Sequence, residues 1–168
     1  MKRLFVIMLL IAAPLVAGTP ARAAASGLAP VFGASDWING RLNSRDVAGK
    51  VVIVDVFTFG CINCKHVLPN LQHLHATLPA TDLAIIGVHA PETPEEHDRA
   101  NVVRELARQG IVWPVAVDNN FAIWHALDNA YWPTQYIFDR HGALRRTVVG
   151  EGQDDVVNAT VNALVTER

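Results

Sequence analysis

The sequence predicts an α/β domain built on a central mixed β-sheet. Two observations carry this prediction. An apolar strand, an amphipathic helix and a second apolar strand follow one another between residues 51 and 88, the order of a βαβ unit with parallel pairing. Further along, the apolar runs Thr134–Phe138 and Leu144–Val149 flank Asp139-Arg140-His141-Gly142-Ala143, a turn-like link with a glycine for positive φ, which predicts an antiparallel hairpin. A sheet that holds both is mixed, and its parallel part calls for helices on both faces.

Each element has its own signal. Gly49-Lys50 leads into Val51-Val52-Ile53-Val54, a β-branched run whose continuous pattern marks a strand covered on both sides. Residues 61–78 space Val67, Leu68, Leu71, Leu74 and Leu78 three and four apart, which predicts an amphipathic helix with a kink at Pro69. A second buried strand is predicted over 83–88. Thr93-Pro94-Glu95-Glu96 has the form of a capping box, with Pro at the first helical position and Glu three residues after the cap. It predicts a helix over 94–109, with Val102, Val103, Leu106 and Ala107 on one face and Gly110 as the stop. Residues 112–117 read as a short strand and 120–127 as a short helix, and Val157, Thr160, Val161 and Leu164 mark a terminal helix. The polar stretch 39–44 predicts a leading turn or short hairpin. No repeat or low-complexity linker interrupts the chain, so residues 24–168 are expected to form one domain.

Composition narrows the function. Hydrophobic residues make up 51% and charged residues 18%, enough apolar side chains to bury a core and too many for a disordered chain. The formal charge of −2 argues against a nucleic-acid partner, which requires a strongly basic face. Lys2 and Arg3 precede an apolar run over 4–16, and Ala21-Arg22-Ala23 follows, the layout of a signal peptide over 1–23. That run is shorter than the roughly 20 residues a helix needs to cross a bilayer. Export matters chemically, because outside the cytosol no glutathione pool holds thiols reduced and a cysteine pair persists as a disulfide.

The chain has two cysteines, in Cys61-Ile62-Asn63-Cys64, where the first strand gives way to the helix. A helix N-terminus offers unpaired N–H groups and a positive dipole end, which favour a thiolate over a thiol. Cys61 at the tip is the better nucleophile, and Cys64 lies one turn inward, placed to attack a mixed disulfide at Cys61. A structural staple explains the pair poorly, since closing a loop of four residues stabilises by only about 2 kcal/mol. His66 could join the two thiolates around copper or zinc, but no second CxxC or HxxxH occurs, and His73 and His75 fall on different helix faces.

Asp55 directly follows the apolar run, where a buried charge is costly and its pKa is raised; proton exchange with Cys64 is one reason for an acid there, and an exposed strand face is the other reading. Glu92 follows the second parallel strand, where ligands of open α/β sheets bind, and is either a second acid near the pair or a surface carboxylate. In Trp132-Pro133, a cis bond beside the cysteines would expose backbone to a substrate strand. From the residues alone an ordinary trans proline fits as well.

The stretch from Asp55 through Cys61-Ile62-Asn63-Cys64-Lys65 to Pro69 resembles the active-site strand and helix of the thioredoxin superfamily. The acid six positions before the first cysteine, the lysine after the second and the proline eight after the first all match. The resemblance implies a thioredoxin fold with Cys61 as attacking thiol, Cys64 as resolving thiol, Asp55 as buried acid and Pro133 as cis proline. It sets Ile62, Asn63 and Trp132 on the substrate side, with Glu92 as a further candidate acid. Gly49-Lys50-Val51-Val52, Gly87-Val88-His89-Ala90-Pro91-Glu92, Val117-Asp118-Asn119-Asn120 and Tyr131-Trp132-Pro133 are similar to exported redoxins of the TlpA type and to the thioredoxin-like domains of DipZ-type membrane thiol transporters. Residues 92–117 then match the helix and strand that those redoxins insert. The implied activity is a periplasmic thiol–disulfide oxidoreductase without a cofactor, acting on protein thiols and disulfides in the reducing direction, apocytochromes included. Its electrons would come from a separate membrane donor of the DsbD/CcdA type. Gly60 stands where thioredoxin has Trp, and Ile62-Asn63 where it has Gly-Pro, which leaves the potential open. Thr58 three before Cys61 is similar to peroxiredoxins, although Val54 holds their upstream proline position. A thiol peroxidase and a copper or zinc carrier are the alternative functions.

Overall fold

The structure, a computed structural model, describes residues 24–167, so the expected signal peptide over 1–23 lies outside the described residues. Helix α1 (Ala24–Phe32) leads to β1 (Trp37–Ile38), β2 (Val51–Phe57), α2 (Ile62–Thr77) and β3 (Leu83–His89). A 3-10 turn (Pro94–His97) then precedes α3 (Arg99–Arg108), β4 (Val115–Val117), α4 (Ala122–Ala126), β5 (Thr134–Phe138), β6 (Leu144–Val149) and α5 (Asp154–Thr166). None of the described helices is long and apolar enough to cross a membrane.

The sheet has six strands in the order β1-β4-β3-β2-β5-β6. Strands β2, β3 and β4 are parallel, while β1, β5 and β6 run antiparallel to their neighbours, so the sheet is mixed. Every residue of β2 is buried, as its continuous apolar pattern requires. Alternation along the strand divides its side chains between two cores. Val51, Ile53 and Phe57 pack with Leu71 and Leu74 of α2, Val102 and Leu106 of α3, and Val161 and Leu164 of α5. Val52, Val54 and Val56 pack on the opposite face with Leu28 and Val31 of α1 and Ile123 and Trp124 of α4. Each fully buried aliphatic side chain contributes about 2 kcal/mol, so this two-sided strand, with its five Val and Ile, anchors the sheet.

Three elements depart from expectation. The helix predicted over 94–109 is divided at Asp98, whose backbone is extended (φ −73°, ψ 112°) and whose carboxylate accepts the Ala100 N–H at 2.8 Å, starting α3 afresh. The strand predicted over 112–117 is confined to Val115–Val117, because Pro114 has no N–H for the ladder and Val112 is 63% exposed. Helix α1 is an addition to the expected elements: it contains the poor helix formers Gly27 and Pro30, and Gly27 provides clearance, a Cβ at that position falling 2.7 Å from the Phe138 ring. Of the leading turn or short hairpin expected over 39–44, the hairpin is absent and the chain turns at Asn39 and Gly40, both at positive φ, just after β1, which pairs with β4. Helix α2 continues through Pro69 to Thr77.

The start of α4 rests on one buried side chain. Asp118 accepts the N–H groups of Ile123 at 3.0 Å and Trp124 at 2.8 Å. Asp118→Ala is expected to lower unfolding stability by about 2 kcal/mol in urea titration, because two helix N–H groups lose their acceptor in a buried setting.

Candidate active site

Strand β2 ends at Phe57, and Thr58-Phe59-Gly60 carries the chain to Cys61, the N-cap of α2. Cys61 has the extended backbone of a cap (φ −64°, ψ 123°), and its Sγ accepts the Cys64 N–H at 3.4 Å. The loop is closed from below by the Cys61 N–H on the Thr58 carbonyl, also at 3.4 Å. Both cysteines are free thiols; Cys61 is half-buried and Cys64 is buried. Ile62 between them is 60% exposed and Asn63 half-buried, so the first sulfur faces outward and the second faces the core.

Asp55 is buried, on the face of β2 that alternation shares with Ile53 and Phe57, which is the face that α2 and Cys64 cover. Desolvation raises its pKa from 3.8 to about 7, offset in part by a hydrogen bond with Gln135, its partner across the β2–β5 pairing. Its Oδ1 has no hydrogen-bond partner. Burial pushes the Cys64 thiol far above the ordinary thiol range; the contact with Cys61 and the charge of Asp55 push the same way, against a backbone hydrogen bond from Thr58. Cys64 therefore keeps its proton at neutral pH until a base removes it. Asp55, whose charge acts on this thiol, is itself raised by burial to about 7.

The sheet register places the other candidates. Phe57 pairs with His89 on β3, and on the other side Val56 pairs with Thr134, so the next step of that register sets Pro133 beside the end of β2. The Trp132–Pro133 bond is cis, and Pro133 is buried. Trp132 donates its indole N–H to the Ala90 carbonyl at 3.0 Å and packs on Trp124 with ring centroids 4.4 Å apart. Glu92 is exposed and contributes its backbone N–H rather than its carboxylate, donating at 2.6 Å to Glu96. The buried acid of this region is Glu96, which the sequence identified only as the last residue of a capping box. His66 pairs with Glu151 at the surface, and among the described residues no group of three His, Cys, Asp or Glu side chains is arranged around a common metal position.

Sequence reasoning also missed His89. It is fully buried, its ring stacked on Phe59 with centroids 5.5 Å apart and edge-on to Phe57 at 5.6 Å. Its Nε2 lies 3.4 Å from the Thr58 hydroxyl, while Nδ1 has no partner. Burial lowers its pKa to about 4, so it is neutral at pH 7. Its place in an apolar run gave no sign of this, and the pairing spans 31 residues.

Comparison with known proteins agrees with this geometry. Residues 26–147 match the AhpC/TSA family. The chain is 36% identical over 146 residues to protein DipZ of Mycobacterium tuberculosis (strain CDC 1551 / Oshkosh), an alignment covering 84% of this chain and 21% of that protein, so it spans about a fifth of DipZ. It is 26% identical over 136 residues to thiol-disulfide oxidoreductase YkuV of Bacillus subtilis (strain 168), covering 80% of this chain and 91% of that one. Among solved structures, a thiol-disulfide isomerase from Corynebacterium glutamicum superimposes with a TM-score of 0.70 at 26% identity, over 80% of this chain and 94% of the other. The mixed six-stranded sheet, the cysteine pair capping α2 and the family match together show that the chain belongs to the AhpC/TSA family of thioredoxin-like proteins.

Proposed function

We propose that this chain, a thiol–disulfide oxidoreductase of the thioredoxin-like redoxin type, acts outside the cytosol as a reductant of protein disulfides. The observation that carries the reading is the asymmetry of the two sulfurs. Cys61 is accessible and receives a helix N–H, whereas Cys64 is buried, protonated and next to an acid that titrates near neutrality.

In the cycle, the Cys61 thiolate attacks one sulfur of a substrate disulfide, forming a mixed disulfide and releasing the first substrate thiolate. Asp55 takes the Cys64 proton, and the Cys64 thiolate attacks the Cys61 sulfur, releasing the second substrate thiolate. Protons from Asp55 and solvent convert both products to thiols. The substrate gains two electrons and the Cys61–Cys64 pair loses them as it becomes a disulfide. A second dithiol protein must then restore the pair, and a membrane donor of the DsbD/CcdA type fits an exported domain. Ile62, Asn63, Trp132 and Pro133 are assigned to the rim that receives the substrate chain, and the exposed Glu92 is left without a part in the exchange. The signal-peptide layout of residues 1–23 supports the exported setting, and the likeness to YkuV, named a thiol-disulfide oxidoreductase, supports disulfide exchange as the reaction.

The test is an equilibrium titration of the full chain against defined dithiol buffers, followed by assay of protein-disulfide reduction. The expected result is one reversible two-electron transition with a midpoint near that of thioredoxin, about −270 mV, with catalysed reduction of insulin. A midpoint near the strongly oxidising value of about −120 mV would reverse the proposed direction. Absence of a reversible transition would remove the function.

A further inference from the structure

The 3-10 turn Pro94–His97 brings one carboxylate against the back of the loop that carries Cys61. Glu96 is 2% exposed, and its oxygens divide between two tasks. Oε1 accepts the Gly60 N–H at 2.9 Å, while Oε2 accepts the N–H groups of Glu92 at 2.6 Å and Thr93 at 3.0 Å. The Thr58 hydroxyl is a further partner. Burial works to raise this carboxyl, but the hydrogen bonds from Glu92, Thr58, Thr93 and Gly60 outweigh it and hold the group below its ordinary range, as an anion. Gly60 fits the same contact from the other side. Its φ is not positive, so backbone freedom is not the reason for a glycine; a Cβ there would lie 2.4 Å from Glu96 Oε1.

We propose that Glu96 is a positioning residue for the redox pair: by holding the Gly60 N–H it fixes the Phe59–Gly60 peptide, one residue ahead of Cys61, so that Cys61 Sγ receives the Cys64 N–H. The proposal rests on the oxidoreductase reading above. It assigns a task to the segment between β3 and α3, which reaches back across 36 residues to the active-site loop.

The two oxygens make the idea separable from a general structural role. Glutamine offers one acceptor end instead of two. In Glu96→Gln the amide oxygen stays with the two donors of the turn, and the amide NH2 is turned on the Gly60 N–H, donor against donor. The turn stays capped and the Gly60 tie is broken. Once Gly60 moves, the Cys61 sulfur loses the N–H that supports negative charge in the reduced form. The dithiol is destabilised relative to the disulfide, and the potential falls. Simple removal of an anion predicts the opposite sign, because it favours a thiolate nearby and raises the potential.

The experiment equilibrates four full-length proteins with glutathione redox buffers: wild type, Glu96→Gln, Gly60→Ala and Glu95→Gln. Gly60→Ala breaks the same contact with the carboxylate intact, and it decides the matter if Glu96→Gln fails to fold. Glu95→Gln makes the same charge change at an exposed neighbour. Both clamp variants are expected to shift the equilibrium constant at least fivefold toward the disulfide, a fall of about 20 mV, with Glu95→Gln matching wild type. An unchanged or raised potential in the clamp variants overturns the proposal. A wild type that shows no reversible transition overturns the oxidoreductase reading itself, an outcome distinct from variants that titrate like an active wild type.

Discussion

Cys61→Ser is expected to lose disulfide reduction by at least about 10³-fold, while Cys64→Ser stops one step later with a partner covalently attached. The difference follows from where the sulfurs sit. The Cys61 Sγ is the accessible atom at the N-cap of α2, and a serine hydroxyl there cannot serve as a thiolate nucleophile at neutral pH. Nor can Cys64 replace it, because it is buried and its thiol is held protonated. In Cys64→Ser the attack by Cys61 still occurs, but no second thiolate remains to resolve the mixed disulfide. Non-reducing gels should therefore show an adduct with a substrate protein only in Cys64→Ser, and thiol addition should release it. Adducts in Cys61→Ser, or equal reduction rates in Cys61→Ser and wild type, would reverse or remove the assigned roles.

The parts of the fold that the sequence made readable are those governed by local pattern. Strand β2 announces itself by an unbroken β-branched run, α2 by leucines three and four apart, and the β5–β6 hairpin by two apolar runs around a glycine turn. The missed features depend on contacts distant in the chain. Helix α1 contains Gly27 because the Phe138 ring leaves no room for a side chain, a constraint set 111 positions away and invisible in a local window. The division of the predicted 94–109 helix did have a local sign, since Asp98 is a second cap residue shortly after Thr93. At the active site, Cys61 and Cys64 could be placed at a strand-to-helix junction directly. Asp55 stands out by its place after an apolar run, but an exposed strand face fits that pattern as well, and its burial is settled by packing. Glu96 could be read as a cap but not as the partner of Gly60, and Glu92 drew attention only through its position after β3. Such pairings are decided by packing, which spacing alone does not encode.

Asp55→Asn should stabilise the fold and slow the reaction, and the two effects should appear in the same pH range. In the folded protein burial raises the Asp55 pKa to about 7 from 3.8. Below pH 4 the group is protonated whether folded or unfolded, and the site costs nothing. Between pH 4 and 7 the unfolded chain releases this proton and the folded chain retains it, so stability falls as pH rises and levels off above 7. Carrying the carboxyl from 3.8 up to about 7 corresponds to about 4 kcal/mol. Urea midpoints of Asp55→Asn and wild type should therefore coincide near pH 4 and diverge toward pH 7, with the variant more stable. Activity should move the other way. Resolution by Cys64 in wild type should accelerate as pH rises through about 7 and Asp55 becomes a base, whereas Asp55→Asn should be slower by about 10²-fold and lack that step. Stability curves that run parallel across this range would show that Asp55 does not titrate as described, and an unchanged resolution rate would give its proton no part in the chemistry. Opposite effects of one substitution on stability and on rate, in the same pH range, are the result expected of a buried acid retained for reactivity.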